Sequence, residues 1–249
     1  MRLLQFTDPH LPGSPGMLVR GVATEATLAR CVTHARRRHP APRAVLLTGD
    51  IVHDEAAGYE ALRAQFGDFE APVHCLPGNH DDPVLVKRAL DGAPFVHDFA
   101  VRYGAWLVVM LDSTVAGSHH GHLKAEDLER LDRVLAENPD AHAIVCLHHQ
   151  PVPHGSRWLD ELMLDNAPEF FEVIARHPGV RGLAWGHTHQ SFEGMHGRVH
   201  LMGTPSTCMQ FTQNADEFEV DSRPPAYRWL ELGEDGSIET GIEWVEADE

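Results

Sequence analysis

Leu76-Pro77-Gly78-Asn79-His80-Asp81 closes a short apolar run that begins at residue 71. A run of that length ending in a Pro-Gly turn reads as a strand that delivers a loop. Gly78 permits a sharp turn and a close approach of backbone to a ligand. Asn79 offers a carbonyl oxygen that binds a metal without adding charge, and His80 offers an imidazole that gives or takes a proton near neutral pH. On its own Gly-Asn-His is an ordinary polar turn. It gains weight because Asp8-Pro9-His10, Gly49-Asp50, His148-His149 and Gly186-His187-Thr188-His189 each follow an apolar run of their own.

Working outward, residues 3–7 read as a buried strand, 24–38 as a helix from the spacing of Leu28, Cys31, Val32 and Ala35, and 44–48 as a second buried strand. Strand, helix, strand with continuous apolar strands is a βαβ unit, which implies parallel pairing with both faces covered. Open α/β sheets bind ligands at the carboxyl ends of their strands, so Asp8, His10 and Asp50 converge on one rim. Asp-x-His places both side chains on the same side of an extended segment, and His187-x-His189 repeats that logic. Further strands are expected over 73–76, 106–111, 143–147, 182–185, 198–202, 227–232 and 238–244. Helices are expected over 55–66, 83–90, 124–137, 158–163 and 167–177. Asp54, Asp81 and Asp82 read as helix caps, and Pro83 as a first-turn proline. His148 and His149, adjacent at a strand end, point to opposite faces, so one of the two is expected at the rim. Asp112 reads equally as a ligand or as part of a turn. The group Ser118-His119-His120-Gly121-His122 is expected to be a loop rather than a ligand set.

The chain has 249 residues and no Gly-, Ser- or Pro-rich linker in its middle, so a single domain over 1–249 is expected. A net charge of −17 argues against a nucleic-acid backbone or an anionic membrane as partner. It does not argue against a small phosphate ester, because bound cations dominate the local field. The first residues do not form a signal peptide and no apolar run has membrane-spanning length. Cys31, Cys75, Cys146 and Cys208 lie far apart, which suits buried free thiols in a reducing cytoplasm.

The strand-end groups are Asp8, His10, Asp50, Asn79, one of His148 and His149, His187 and His189. That set is too large for one tetrahedral site. It suits two metal ions with mixed nitrogen and oxygen ligands, such as iron, manganese, zinc or cobalt. A carboxylate is the natural bridge between two such ions, and the pair activates a water and neutralises phosphate oxygens. The chemistry implied is hydrolysis at phosphorus.

In order and placement, Asp8-x-His10, Gly49-Asp50, Gly78-Asn79-His80-Asp81, His148-His149 and Gly186-His187-x-His189 resemble the five signature blocks of the calcineurin-like metallophosphoesterases. The resemblance implies an α/β fold with a two-sheet β sandwich flanked by helices. It implies that Asp50 bridges two divalent or trivalent ions (iron with manganese, zinc or cobalt). Asp8, His10 and His189 would complete one ion, and Asn79, His148 and His187 the other, His148 being the first of its pair. His80 resembles the catalytic histidine that contacts the scissile phosphate, with His10, Asp50, Asn79 and His189 also at the substrate. The family often carries Asp three residues after the Gly-Asp carboxylate; here that position is His53, and Pro9 replaces the usual small hydroxyl residue.

The linking segments 49–54, 147–151, 155–160, 203–208 and 225–228 look like bacterial class III 3′,5′-cyclic nucleotide phosphodiesterases. That narrower resemblance implies cleavage of 3′,5′-cyclic AMP to 5′-AMP by a metal-bridging hydroxide, in a cytoplasmic enzyme whose relatives are often homodimers. The alternatives are another small phosphodiester, such as a glycerophosphodiester or a 2′,3′-cyclic nucleotide, and a non-catalytic scaffold of the same fold. Every ligand position is filled, which disfavours the scaffold, and the acidic composition disfavours a nuclease.

Overall fold

The computed structural model describes residues 1–247. The first sheet is built from β1 (Arg2–Phe6), β2 (Ala44–Thr48), β3 (Val73–Leu76) and β4 (Phe95–Val96), all parallel, continued on one side by antiparallel β13 (Ala226–Leu232) and β14 (Ile238–Trp244). Its order is β14-β13-β1-β2-β3-β4. The second sheet has the order β5-β6-β7-β8-β10-β9, with β5 (Ala100–Tyr103), β6 (Trp106–Met110), β7 (His142–Cys146), β8 (Val180–Trp185), β9 (Phe192–His196) and β10 (Val199–Gly203). Strands β6, β7, β8 and β10 are parallel, and β5 and β9 close the edges antiparallel. A separate ribbon joins β11 (Gln210–Phe211) to β12 (Val220–Asp221).

Helices α1 (Thr24–Arg38), α2 (Gly58–Phe66) and α3 (Pro83–Ala89) cover the first sheet. Helices α4 (Ala125–Glu137) and α6 (Ala167–Arg176) cover the second, and α5 (Arg157–Asp160) is a single turn near the strand ends. Leu4, Phe6, Val45 and Leu47 pack under the helices, while Leu3, Leu46, Leu76, Val108, Ile144 and Ala184 pack between the sheets. Both faces of these strands are therefore buried, which is why their sequences read as continuous apolar runs rather than alternating ones. The expected two-sheet α/β sandwich is the fold observed. The elements β4, β5, β9, β11 and β12 escaped the sequence reading because they are short or half-exposed edge pieces. Helix α2 starts at Gly58, three residues later than expected, and Ala57 precedes it without a side-chain cap. Asp82 does cap α3, accepting from the N–H groups of Val84 and Leu85.

Polar side chains cross the gap between the sheets. Gln5 on β1 donates to Thr48 Oγ1 (2.9 Å) and to the Trp185 carbonyl (3.1 Å), and accepts from Thr204 Oγ1 (2.7 Å). His74 on β3 pairs with the Tyr103 hydroxyl at the end of β5 (2.6 Å). Burial lowers the His74 pKa to about 4. The folded chain thus excludes a proton that the unfolded chain accepts below about pH 6.5. Stability is complete above that pH and is lost as pH falls from 6.5 to 4, by about 3 kcal/mol. In urea titrations, wild type should lose about that much more stability over this window than His74→Leu; parallel losses would contradict it.

Candidate metal centre

Asp8, His10, Asp50, His187 and His189 all have left-handed backbone, with φ of 52°, 45°, 49°, 63° and 49°. Non-glycine residues adopt this region rarely, and such strain collects at functional sites. The side chains of Asp8 and His10 converge because the chain turns after β1, not because of the period-two pleat expected from the sequence; the same holds for His187 and His189. Likewise β7 ends at Cys146, so alternation does not govern His148 and His149. Their rings meet at 4.9 Å, and His149 lies 4.7 Å from the His187 ring. Both histidines face the centre.

Asp50 stands in the middle. Its Oδ2 lies 3.5 Å from His10 Nε2, and its Oδ1 lies 3.4 Å from His148 Nε2. On the first side His10 Nε2 is 3.1 Å from His189 Nε2, which is 3.4 Å from Asp8 Oδ1. On the second side His148 Nε2 lies 3.2 Å from Asn79 Oδ1 and 4.0 Å from Asp8 Oδ1. The His148, His149 and His187 ring nitrogens group within 4.8 Å of one another. His10, Asp50, Asn79, His187 and His189 line a cavity of about 230 Å³ together with His80, whereas Asp8 and His148 lie fully buried beneath it. The strand-end groups singled out in the sequence are thereby brought together, Asp112 excepted.

This donor set fits two cations. His148 Nδ1–H donates to the Thr48 carbonyl (2.7 Å) and His189 Nδ1–H to the Met209 carbonyl (2.7 Å). Each bond fixes the tautomer whose Nε2 lone pair faces the centre, as metal-binding imidazoles require. His187 Nε2 and His149 Nε2 are buried without a hydrogen-bond partner. Burial holds His10, His149 and His187 well below the usual imidazole range, so they are neutral. Burial pushes the Asp50 carboxyl up, but His148 and His10 outweigh it and hold the group ionised. His148 is the exception: burial opposes its protonation, yet the Asp50 and Asp8 carboxylates raise it to about 9. A proton there answers the same negative charge that a cation would.

The surroundings correct two expectations. Asp81 is no helix cap. Its half-buried carboxylate accepts from the N–H groups of Ile51 (3.0 Å), Val52 (3.2 Å) and Gly78 (2.9 Å) and from the Tyr59 hydroxyl (2.9 Å), tying the loops after β2 and β3 together. Burial and the nearby Asp50 raise its pKa to about 6. Asp54 is no cap either: it accepts from His80 Nδ1 at 2.8 Å, with left-handed backbone at φ 64°. The segment 118–122 is the loop expected, and from it His119 accepts from Asn79 Nδ2 (3.1 Å), which turns Asn79 Oδ1 towards His148. His53 stacks on His80, with ring centroids 4.9 Å apart. The one sequence signal for Asp54 is that it lies one place after the position where the family often carries Asp, which does not give its role; His119 carried no signal. Asp112 accepts from Thr114 in a turn, away from the centre. His120 and His122 pair with Asp165 at the surface.

A family model described as calcineurin-like phosphoesterase matches residues 1–191. The chain is 36% identical to the 3′,5′-cyclic adenosine monophosphate phosphodiesterase CpdA of Pseudomonas aeruginosa, covering 98% of this chain and 90% of that protein. It is 37% identical to the Escherichia coli K12 protein of the same name, covering 97% and 89%. Among solved structures, a dimetal phosphatase from Danio rerio superposes with a TM-score of 0.65 at 14% identity, covering 98% of this chain and 99% of that one.

Gly78 tests how tightly the centre is built. A Cβ on Gly78 would collide with the backbone N and Oδ1 of Asp50. Gly78→Ala should therefore weaken metal binding roughly 10- to 100-fold, the usual effect of displacing a ligand's support. Competition with a chelator checks this; wild-type affinity would contradict the assignment of Asp50.

Proposed function

This chain belongs to the calcineurin-like phosphoesterase family, and we propose that it hydrolyses 3′,5′-cyclic AMP to 5′-AMP with two metal ions. The observation that carries the reading is Asp50, whose two carboxylate oxygens face separate donor groups, His10 with His189 on one side and His148 with Asn79 on the other. In this reading Asp8, His10, Asp50 and His189 hold one ion, and Asp50, Asn79, His148 and His187 the other. The names of the full-length relatives support the cyclic nucleotide as substrate. Iron paired with manganese, zinc or cobalt suits the mixed nitrogen and oxygen donors.

When bound, the two ions polarise the phosphoryl oxygens and lower the pKa of bound water. The chain supplies the rest. His10, Asp50, Asn79, His80 and His189 line the cavity where the phosphoryl group sits. Hydrolysis forms a bond from a water oxygen, which gives up a proton, to phosphorus and breaks the bond to the 3′ oxygen, which takes up a proton. His80 is the proton donor in this reading. Asp54 accepts from its Nδ1 and orients the ring, leaving Nε2–H to serve the leaving oxygen.

Residues 1–249 act as a single domain in this proposal, because the ligands come from both sheets. The cytoplasm is the proposed compartment, supported by four buried free thiols. A homodimer is the proposed assembly, on family resemblance alone. A nucleic-acid or membrane partner is disfavoured by the net charge of −17.

Manganese-loaded protein should hydrolyse 3′,5′-cyclic AMP, with bis(p-nitrophenyl) phosphate as a control. Asp50→Ala and His187→Ala should each abolish turnover and reduce bound metal; full activity in both would sink the proposal. Turnover of the control alone would transfer the site to another phosphodiester. Asp54→Asn should keep its metal and lower kcat by about 10²-fold or more, the usual range for a general acid. Unchanged kcat there would remove Asp54 from the mechanism.

A further inference from the structure

The cavity has two unlike walls. One is the metal centre with His80. The other is apolar and aromatic, formed by Trp158, Leu159, Leu162, Met209, Phe211 and Phe218. These residues lie in α5 and the ribbon of β11 and β12 or within two residues of them, in segments that supply none of the candidate metal ligands. Trp158 and Leu159 fall in the linking segment 155–160, whose chemistry the phosphoryl reaction leaves unused.

The aromatic wall is an ordered cluster rather than scattered residues. Phe211 lies flat on the His189 ring, with centroids 4.0 Å apart and planes 8° from parallel. Trp158 meets Phe211 edge to face at 5.3 Å and Phe218 at 5.4 Å, and Phe211 meets Phe218 at 5.2 Å. The Arg20 guanidinium lies over Phe218 at 4.6 Å and also lines the cavity. Gln190, the residue after His189, holds this wall in register with the centre: its Nε2 donates to Ser156 Oγ (3.2 Å) and to the Thr212 carbonyl (3.1 Å). Phe218 nevertheless stays 41% exposed, a large apolar ring left partly uncovered at the mouth of a charged site.

We infer that Trp158 and Phe218, which meet edge to face, form an open slot in which one uncovered ring face stacks the nucleobase of the substrate, with Phe211 as the support that joins the slot to the metal centre. Rings of this kind hold a base by its π-face, and every base has one. Phe211 has one face committed to His189 and its edges to Trp158 and Phe218; Phe218 has one face under Arg20 but stays 41% exposed, so Trp158 and the open face of Phe218 are what remain for a ligand. A cavity of about 230 Å³ sits below the ~300 Å³ of ordinary ligand pockets, which suits one base rather than a strand. The inference rests on the phosphodiesterase reading and deepens it: it assigns what selects a nucleotide over a diester without a base.

The test compares 5′-AMP with ribose 5-phosphate, which share sugar and phosphate and differ in the base. Calorimetry on the manganese-loaded full chain should give 5′-AMP the higher affinity by about 5- to 150-fold, the equivalent of roughly 1–3 kcal/mol for one stacked base. Trp158→Ala and Phe218→Ala should each pull that ratio towards one, and Trp158→Phe should restore most of it. Phe218 is partly exposed, so its alanine variant keeps the test open if Trp158→Ala fails to fold. Equal affinities in wild type, no binding of either ligand, or an unchanged ratio in both alanine variants would overturn the slot. Cyclic AMP hydrolysis is measured separately. Turnover with equal affinities overturns the slot alone, whereas a strong 5′-AMP preference without any diester turnover overturns the phosphodiesterase reading and leaves the slot standing.

Discussion

The carboxylate of Asp8 ties the two sheets together at the point where the chemistry is assembled. Asp8 follows β1 of the first sheet, and its oxygens accept from the backbone N–H of His187, which follows β8 of the second, at 3.0 and 3.1 Å. Thr7 Oγ1 adds a further donor at 2.6 Å. A fully buried carboxylate is costly unless donors and positive charge answer it. Here the donors are a hydroxyl and a backbone amide, and the remaining charge faces His148 and His189. Packing of the sandwich and formation of the centre are therefore one constraint.

Asp81 plays the corresponding part within the first sheet. Three backbone N–H groups and a tyrosine hydroxyl converge on it, so the loop carrying Asp50 cannot shift without the loop carrying Asn79 and His80. The left-handed residues of the centre each cost on the order of 1–3 kcal/mol. Such a cost persists only where the surroundings over-determine the backbone. Two carboxylates, each bound by several donors, provide that restraint.

The outer parts of the site follow a different logic. Asp54 and His119 reach His80 and Asn79 from loops with few buried contacts, and the aromatic wall reaches His189 from a small ribbon. The strand ends of the two sheets position the candidate ligands, while loops and the ribbon supply the groups around His80, Asn79 and the aromatic wall. This division also explains how a chain of net charge −17 can attract a phosphate: the local field belongs to bound cations, not to the distant surface carboxylates.

The sequence by itself determined the βαβ start, the buried strands and the residues of the centre. Strands buried on both faces are continuous apolar runs, and a ligand must follow the carboxyl end of such a run. Asp8, His10, Asp50, Asn79, His187 and His189 are legible because each is a short-range event in the chain. The roles of Asp54, Asp81, His119 and His149 are not, and neither is the slot of Trp158 and Phe218. Asp81 resembles its neighbour Asp82 in every local respect, yet one caps a helix and the other binds two loops. His149 faces the centre because β7 stops at Cys146, and a hydrophobic pattern cannot locate a strand's last residue. Contacts such as Asn79 with His119, or Phe211 with His189, join segments 40 and 22 residues apart. Only the packing of the two sheets, which brings their strand ends to one rim, decides which distant side chains meet.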